Sequence, residues 1–338
     1  MIRLPRPRLL RGIEMIAAEP SPEQEAAVAE LVRRAEKIRS GGVNPRDDNM
    51  LAITNDGRKV ALDMRVMDPA APDFPGSKTN LLVEHAFSIW EESRPERLTQ
   101  LVFCDLSKPV PPERGFSVYH DIRHKLMARG IPLHEIAFIH DANTDAKKAR
   151  LFADVREGRI RILLGSTPKM GMGTNVQDRL YALHHLDAPW RPADIEQRDG
   201  RMLRRGNRNP HVRILRYVTQ RTFDAYMWQT LEYKARMIAQ IMCGDVAVRR
   251  VEDLVTPVLS FAQMKALASG NPLVMEKAAV DAEAARLGRA RKAFEDRGFA
   301  VRLDLARLPE QLRRAEATAA HIRADLGARI DTSGDRFH

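Results

Sequence analysis

Cysteine is nearly missing from this sequence: Cys104 and Cys243 are its only two thiols in 338 residues. They are too few and too far apart to build a disulfide framework or a zinc site. No apolar run approaches the roughly 18 residues that a membrane-spanning helix needs. The N-terminus also lacks the apolar stretch of a secretory signal. These absences lead to the expectation of an intracellular, cytoplasmic protein with reduced thiols and no membrane partner. Aromatic residues are scarce at 6%, whereas arginine, alanine and leucine dominate, a balance that favours helix. There is no internal repeat.

What is present is a chain with 44% hydrophobic and 30% charged residues, long enough for roughly two domains and one sizeable core. The net charge of +10 and a pI near 9.8 suggest a polyanionic partner, nucleic acid first. A general arginine bias would raise the charge as well.

Residues 1–20 read as basic and irregular. Ser21-Pro22-Glu23 then caps a helix to about Ile38, with proline at its first position, and Gly41-Gly42 ends it. Residues 43–75 are ambiguous. Asn55-Asp56-Gly57 suits a hairpin turn, while Thr54 could instead cap a helix carrying Val60, Ala61 and Met64. Pro69, Pro72 and Pro75 mark a linker, and Ser77 opens a helix to about Ser93. From Leu98 short apolar strands alternate with helices. Strands are expected at Leu101–Cys104, Ile136–Ile139, Arg159–Gly165, Leu180–Leu186 and Val212–Val218, implying βαβ units and a parallel sheet covered on both faces. The chain after Thr222 is almost entirely helical, over about 223–243 and again from about Ser260. Residues 272–328 have the periodicity of a helical hairpin or coiled coil, with Leu287, Leu303, Leu308, Leu312 and Leu326 as packing positions. The expected domains are a helical N-terminal and linker region (1–97), an α/β domain (98–222), a helical extension (223–330) and a frayed tail (331–338).

Two stretches carry chemistry. Directly after the third expected strand comes Ser166-Thr167-Pro168-Lys169-Met170-Gly171-Met172-Gly173-Thr174-Asn175, whose hydroxyls and glycines suit a loop approached closely by phosphate. Further on, Gln197 to Gly206 reads Gln-Arg-Asp-Gly-Arg-Met-Leu-Arg-Arg-Gly. Arg201 and Arg204, three apart, share one face of a helical turn, and a guanidinium suits a phosphoryl group in charge and shape. In parallel sheets ligands sit beyond the carboxyl ends of the strands. The arginine stretch, between the fourth and fifth expected strands, is placed to line such a crevice.

The succession STPKMGMGTN, LDAPWRP and QRDGRMLRRG resembles motifs V and VI of superfamily-two helicases, most of all the Swi/Snf-type DNA translocases. The helix start Thr222-Phe223-Asp224 is similar to that branch as well, and the resemblance covers residues 98–243. The flanks resemble large mobile-element helicases that often carry a methylase region. The resemblance implies an α/β, parallel-sheet RecA-like helicase C-terminal domain with helical extensions on both sides, the C-terminal one coiled-coil-like. It implies that Arg204 is an arginine finger and Arg201 its companion on the phosphate. Gln197, Gly200, Gly173 and Asn175 would be nucleotide-side positions, with Gly171 in the same loop. Ser166, Thr167 and Lys169 would face the DNA backbone. Met170 and Met172 depart from the family's usual small residues without removing a charged position.

Other arginines of the basic stretch, Arg205, Arg208 and Arg213, are candidates for DNA phosphate. Trp190 is expected to pack on the sheet edge, with base stacking as the alternative.

No segment supplies the phosphate loop G-x-x-x-x-G-K-[ST], and Gly76-Ser77-Lys78-Thr79 has its lysine displaced and no strand before it. There is no Asp-Glu pair to hold magnesium. The implied cofactors, ATP and Mg2+, would therefore be held mainly by a first RecA-like lobe, in another chain or a missing upstream region. DNA and a coiled-coil partner complete the expected partners. The competing reading is a non-catalytic DNA-binding or assembly module derived from a helicase lobe. His120 and His124 have a helical metal-site spacing but lack the glutamate of HExxH, and His184-His185 reads as packing; no metal site is expected.

Overall fold

The computed structural model describes residues 6–44, 46–111, 115–170, 175–242 and 272–328. Two compact units, Met1–Val274 and Met275–His338, divide the chain.

The first unit is built on a six-stranded, wholly parallel sheet. Its strands are β1 (Arg8–Ala18), β2 (Thr99–Phe103), β3 (Ile136–Phe138), β4 (Ile162–Gly165), β5 (Leu180–His185) and β6 (His211–Thr219), in the spatial order β1-β6-β5-β2-β4-β3. Every residue of β2 and β4 is buried, as a parallel sheet covered on both faces requires. Leu82, Ile89, Tyr119, Ile122 and Phe138 pack on one face of the sheet, and Phe152, Val155, Met170, Val176 and Met202 on the other.

β1 replaces the irregular segment expected over residues 1–20. The strand runs parallel to β6 from Arg8 opposite His211 to Ala18 opposite Thr219. Its register breaks between Leu9 and Ile13, where Gly12 adopts φ +71°, a left-handed conformation open to glycine. The bulge and the exposed edge position erase the alternation that marks a strand.

Among the described residues of the first unit, eight helices of four residues or more accompany the sheet. They are α1 (Pro22–Arg39), α2 (Met50–Leu62), α3 (Lys78–Glu92), α4 (Val118–Ala128), α5 (Asp145–Arg156), the single turn α6 (Thr167–Met170), α7 (Pro192–Asp199) and α8 (Phe223–Met242). The α1 start is a capping box: Gln24 N–H donates to Ser21 Oγ at 3.2 Å and Ser21 N–H to Gln24 Oε1 at 2.9 Å, which satisfies otherwise orphaned donors. α2 excludes the hairpin over residues 55–57. Its cap is Asn49, accepting from Ala52 N–H at 3.0 Å, whereas Thr54 lies inside the helix and donates to the Met50 carbonyl at 2.7 Å. Gly57 faces the Phe223 ring, which a Cβ would approach to 2.5 Å. Close helix packing, not a turn, is what this glycine serves.

Lys78 has the same structural character. It is 1% exposed and pairs with buried Asp224, to which Thr219 N–H also donates at 3.2 Å. Burial pushes the Asp224 carboxyl up from its ordinary pKa. The false phosphate loop and the Thr222-Phe223-Asp224 helix start thus meet in one clasp between α3 and α8.

In the second unit lies most of α9 (Pro272–Gly327), a single helix that continues through Pro309, so no hairpin forms within it. Leu287, Leu303, Leu308, Leu312 and Leu326, expected to pack, are all exposed. The start of the second expected C-terminal helix near Ser260, and the tail 331–338, lie outside the described residues.

Candidate functional site

Three strands deliver their carboxyl ends to one buried network. After β2 comes Asp105, after β4 Thr167, and after β5 Asp187. Arg198 in the last turn of α7 joins them. Its Nε donates to Thr167 Oγ1 at 2.7 Å, Nη1 to the Asp187 carbonyl at 2.9 Å, and Nη2 to Asp105 Oδ2 at 2.8 Å and Asp187 Oδ1 at 3.2 Å. Thr167 in turn donates N–H and Oγ1 to Asp105 at 2.6 and 2.8 Å. The guanidinium lies over the Phe103 ring at 5.1 Å. Burial pushes the Asp187 carboxyl up from its ordinary pKa although Arg198 pulls it down.

Sequence reasoning missed Arg198. The available signal was its spacing: it stands three residues before Arg201, directly after Gln197. α7 ends at Asp199, so Arg201 and Arg204 lie on turns beyond it and not on the helical turn expected for them.

Ser166 and Thr167, expected on the DNA side, are buried. Thr167 is committed to Asp105 and Arg198, and Ser166 Oγ lies 3.3 Å from His140 Nε2. Their hydroxyls are turned into the protein. Lys169 beside them is exposed. Asn175 is exposed, and its carbonyl accepts from Arg156 Nη1 at 2.7 Å. Gly171 and Gly173 lie outside the described residues.

The arginine stretch continues past α7 toward the other end of the sheet. Gln197 is exposed. Gly200 closes the helix, its N–H donating to the Glu196 carbonyl at 2.8 Å. A Cβ there would stand 2.9 Å from that carbonyl. Met202 is buried in the core, which holds Arg201 half-buried and leaves Arg204 and Arg205 exposed. Burial, then the charge of Arg204, lowers the Arg201 pKa. A cleft of about 640 Å³ is lined by Arg6, Gln177, Gly200, Leu203, Arg204 and Arg205. Gln177 is 8% exposed, and its buried Oε1 has no hydrogen-bond partner among the described residues. Gly206, at φ +94°, packs so that a Cβ would lie 3.3 Å from Gln177 Nε2.

This geometry corrects the expected crevice. Arg6 precedes β1 and Gln177 precedes β5, so the cleft opens beside the amino ends of those strands, while Arg198 takes the carboxyl ends. Among the described residues no carboxylate lines the cleft and no ion pair involves Arg204. Lining of this kind fits a phosphate, whose charge nothing local would repel.

Of the other candidates, Arg208 is exposed, 3.9 Å from Asp178. Arg213 is locked to Glu14 on β1 by two bonds of 2.8 Å. Trp190 is covered by Arg58 at 4.1 Å and packs with the cluster of Ala188, Met227 and Trp228. His184 bridges Gln100 and Tyr217 at 2.9 Å on each side, and His185 Nε2 meets Asp199 at 2.7 Å. Burial drives their pKa values down to about 3 and about 4. His120 lies beside Phe138, its ring centroid 5.5 Å away, and burial lowers its pKa. Among the described residues no group of three or more His, Cys, Asp and Glu is placed to hold a metal ion, and no helix is long and apolar enough to cross a membrane.

The all-parallel sheet and its flanking helices form an α/β fold of the RecA-like kind. Residues 81–206 match the model of the helicase conserved C-terminal domain; β1 and β6 lie outside the matched span. The chain is 38% identical over 96 residues to defense against restriction protein B of Escherichia phage P1, across 28% of this chain. The match spans 4% of that protein's length. Among solved structures it is similar to the C-terminal part of the Fun30 ATPase domain, with 12% identity, 81% of this chain and 98% of that one covered, and a TM-score of 0.46. It is also similar to the Sulfolobus solfataricus SWI2/SNF2 ATPase core in complex with dsDNA, with 16% identity, 73% and 50% covered, and a TM-score of 0.48.

Proposed function

We propose that this helicase C-terminal domain is the second motor lobe of an ATP-dependent DNA helicase or translocase of the Swi/Snf type. The observation that carries the reading is the cleft in which Arg204, Arg205 and Arg6 stand together, with no carboxylate among the described lining residues. When bound, ATP with its magnesium supplies the γ-phosphoryl group whose transfer to water drives such motors. A first lobe grips that nucleotide. Arg204 reaches the transferring phosphoryl group from the opposite side and neutralises charge that builds there, and Arg201 holds the same phosphate from its half-buried position. Gly200 lets the backbone approach, with Gln197 and Asn175 on the nucleotide side.

Lys169, Arg205 and Arg208 contact DNA phosphates, as exposed cations do in non-specific binding. The buried network around Arg198 ties the start of the Lys169 loop to the helix that carries Gln197 and leads into Arg201 and Arg204. Movement of either is then passed to the other through Thr167.

The test is ATP turnover by the full chain, alone and mixed with a RecA-like first lobe carrying a phosphate loop and an acidic box, with and without duplex DNA. The expected result is no turnover alone and DNA-stimulated turnover in the mixture. Turnover by the chain alone contradicts the dependence on a first lobe. DNA binding with no turnover in the mixture supports the non-catalytic module instead.

A further inference from the structure

Helix α9 carries an apolar seam that fits a copy of itself laid in reverse. Val280, Leu287, Phe294, Val301, Leu308, Ala315 and Ile322 recur at sevens, and Ala284, Arg291, Gly298, Leu305, Leu312, Ala319 and Leu326 each follow four residues later. Alternating steps of four and three give the 3.5-residue period of a left-handed coiled coil. The seam runs about 70 Å at 1.5 Å per residue. It faces solvent: Phe294 is 78%, Leu312 60% and Leu326 61% exposed. Phe299 and Leu303 are exposed too but lie off this line.

The order of large and small residues selects the occupant. A parallel copy in register stacks Ala284, Gly298 and Ala319 each on itself, leaving voids, and sets Arg291 against Arg291. Voids in a packed seam forfeit the dispersion attraction that large side chains would supply. A reversed copy sets Val280 against Leu326, Ala284 against Ile322, Leu287 against Ala319, and Arg291 against Ala315. Phe294 then meets Leu312, Gly298 meets Leu308, and Val301 meets Leu305. Every small residue faces a larger one, and every position is used. Arg291 already pairs with Glu295 of its own helix at 2.8 Å, so its stem can cover Ala315 while its charge stays in water. At the centre Arg302 faces Arg302 and Asp304 faces Asp304, but on the wet flanks, where salt screens them.

We propose that α9 forms a two-stranded antiparallel coiled coil with α9 of a second copy of this chain. The seam shares no residue with the motor site, so the proposal is independent of that reading.

Sedimentation of the full chain should give a dimer at micromolar concentration. Leu305→Asp with Leu312→Asp should raise the dissociation constant by at least about 100-fold, because uncompensated carboxylates enter an apolar seam. Thermal unfolding of the sheet domain should not change. Gly298→Leu should weaken an antiparallel pair, where Leu308 fills that space, and tighten a parallel one. Direction is read independently by oxidation in a Cys243→Ser background. Chains with Ala284→Cys mixed with chains with Ile322→Cys should cross-link to each other, and Ala284→Cys alone should not. A monomer, a higher oligomer, tightening by Gly298→Leu or self-cross-linking of Ala284→Cys overturns the proposal.

Discussion

Arg198 and Asp187 form an ion pair at 3.2 Å with both side chains fully enclosed, so the α7 arginine and the β5 exit loop are one structural unit. Asp187 also accepts the Asp105 N–H at 2.5 Å and the Leu106 N–H at 3.0 Å. The pair therefore fixes the β2 exit as well. Its worth shows when one partner is removed, since a lone buried charge is far costlier than a missing pair.

Arg198→Ala should lower the unfolding free energy by about 3–5 kcal/mol, the range for a broken buried pair. Chemical denaturation with matched m-values checks this. Arg198→Lys should recover only part of the loss, because an ammonium cannot bond Thr167, Asp105 and Asp187 in one fork. Equal stability of Arg198→Ala and the natural chain would show that the network contributes little.

The buried histidines predict a pH dependence. His184 and His185 have folded pKa values near 3 and near 4, below the ordinary 6.5 of an unfolded chain. Protonation therefore favours the unfolded state. Stability from both groups is fully present above pH about 6.5 and is lost as pH falls toward 4. Between pH 7 and pH 5 each histidine should cost about 2 kcal/mol. Denaturation midpoints across that range read it, and His184→Gln should flatten the slope.

DNA binding should weaken with salt. Removing Arg205 or Arg208 should reduce the slope of log K against log salt by about 0.9 for each duplex phosphate that is no longer neutralised. Ser166→Ala and Thr167→Val should leave that slope unchanged, because their hydroxyls face Asp105, Arg198 and His140 rather than solvent. Fluorescence anisotropy at several ionic strengths measures both.

Much of the fold was readable where local and tertiary signals agree. The Ser21-Pro22-Glu23 start is a physical cap, and β2 and β4 are short apolar runs because both faces of the sheet are covered. β1 was hidden because it is an edge strand with Arg8, Arg11 and Glu14 exposed or half-exposed and a bulge at Gly12. Gly57 suggested a turn because its reason for being small is a distant ring, Phe223, 166 positions along the chain. The arginine motif was legible as a charge pattern. Its division into one buried guanidinium, Arg198, and three more accessible ones, Arg201, Arg204 and Arg205, was not, because Arg198 is enclosed by carboxylates from β2 and β5 exits that sequence spacing does not bring together.

The most direct test of the account is steady-state ATP turnover of the chain paired with a first lobe, comparing Arg204→Ala and Arg204→Lys with the natural residue. A phosphoryl-neutralising arginine predicts that kcat falls by about 10³ or more in Arg204→Ala, with KM little changed and DNA affinity retained, and that lysine restores little. Turnover unchanged by Arg204→Ala would contradict the claim that this guanidinium acts on the nucleotide.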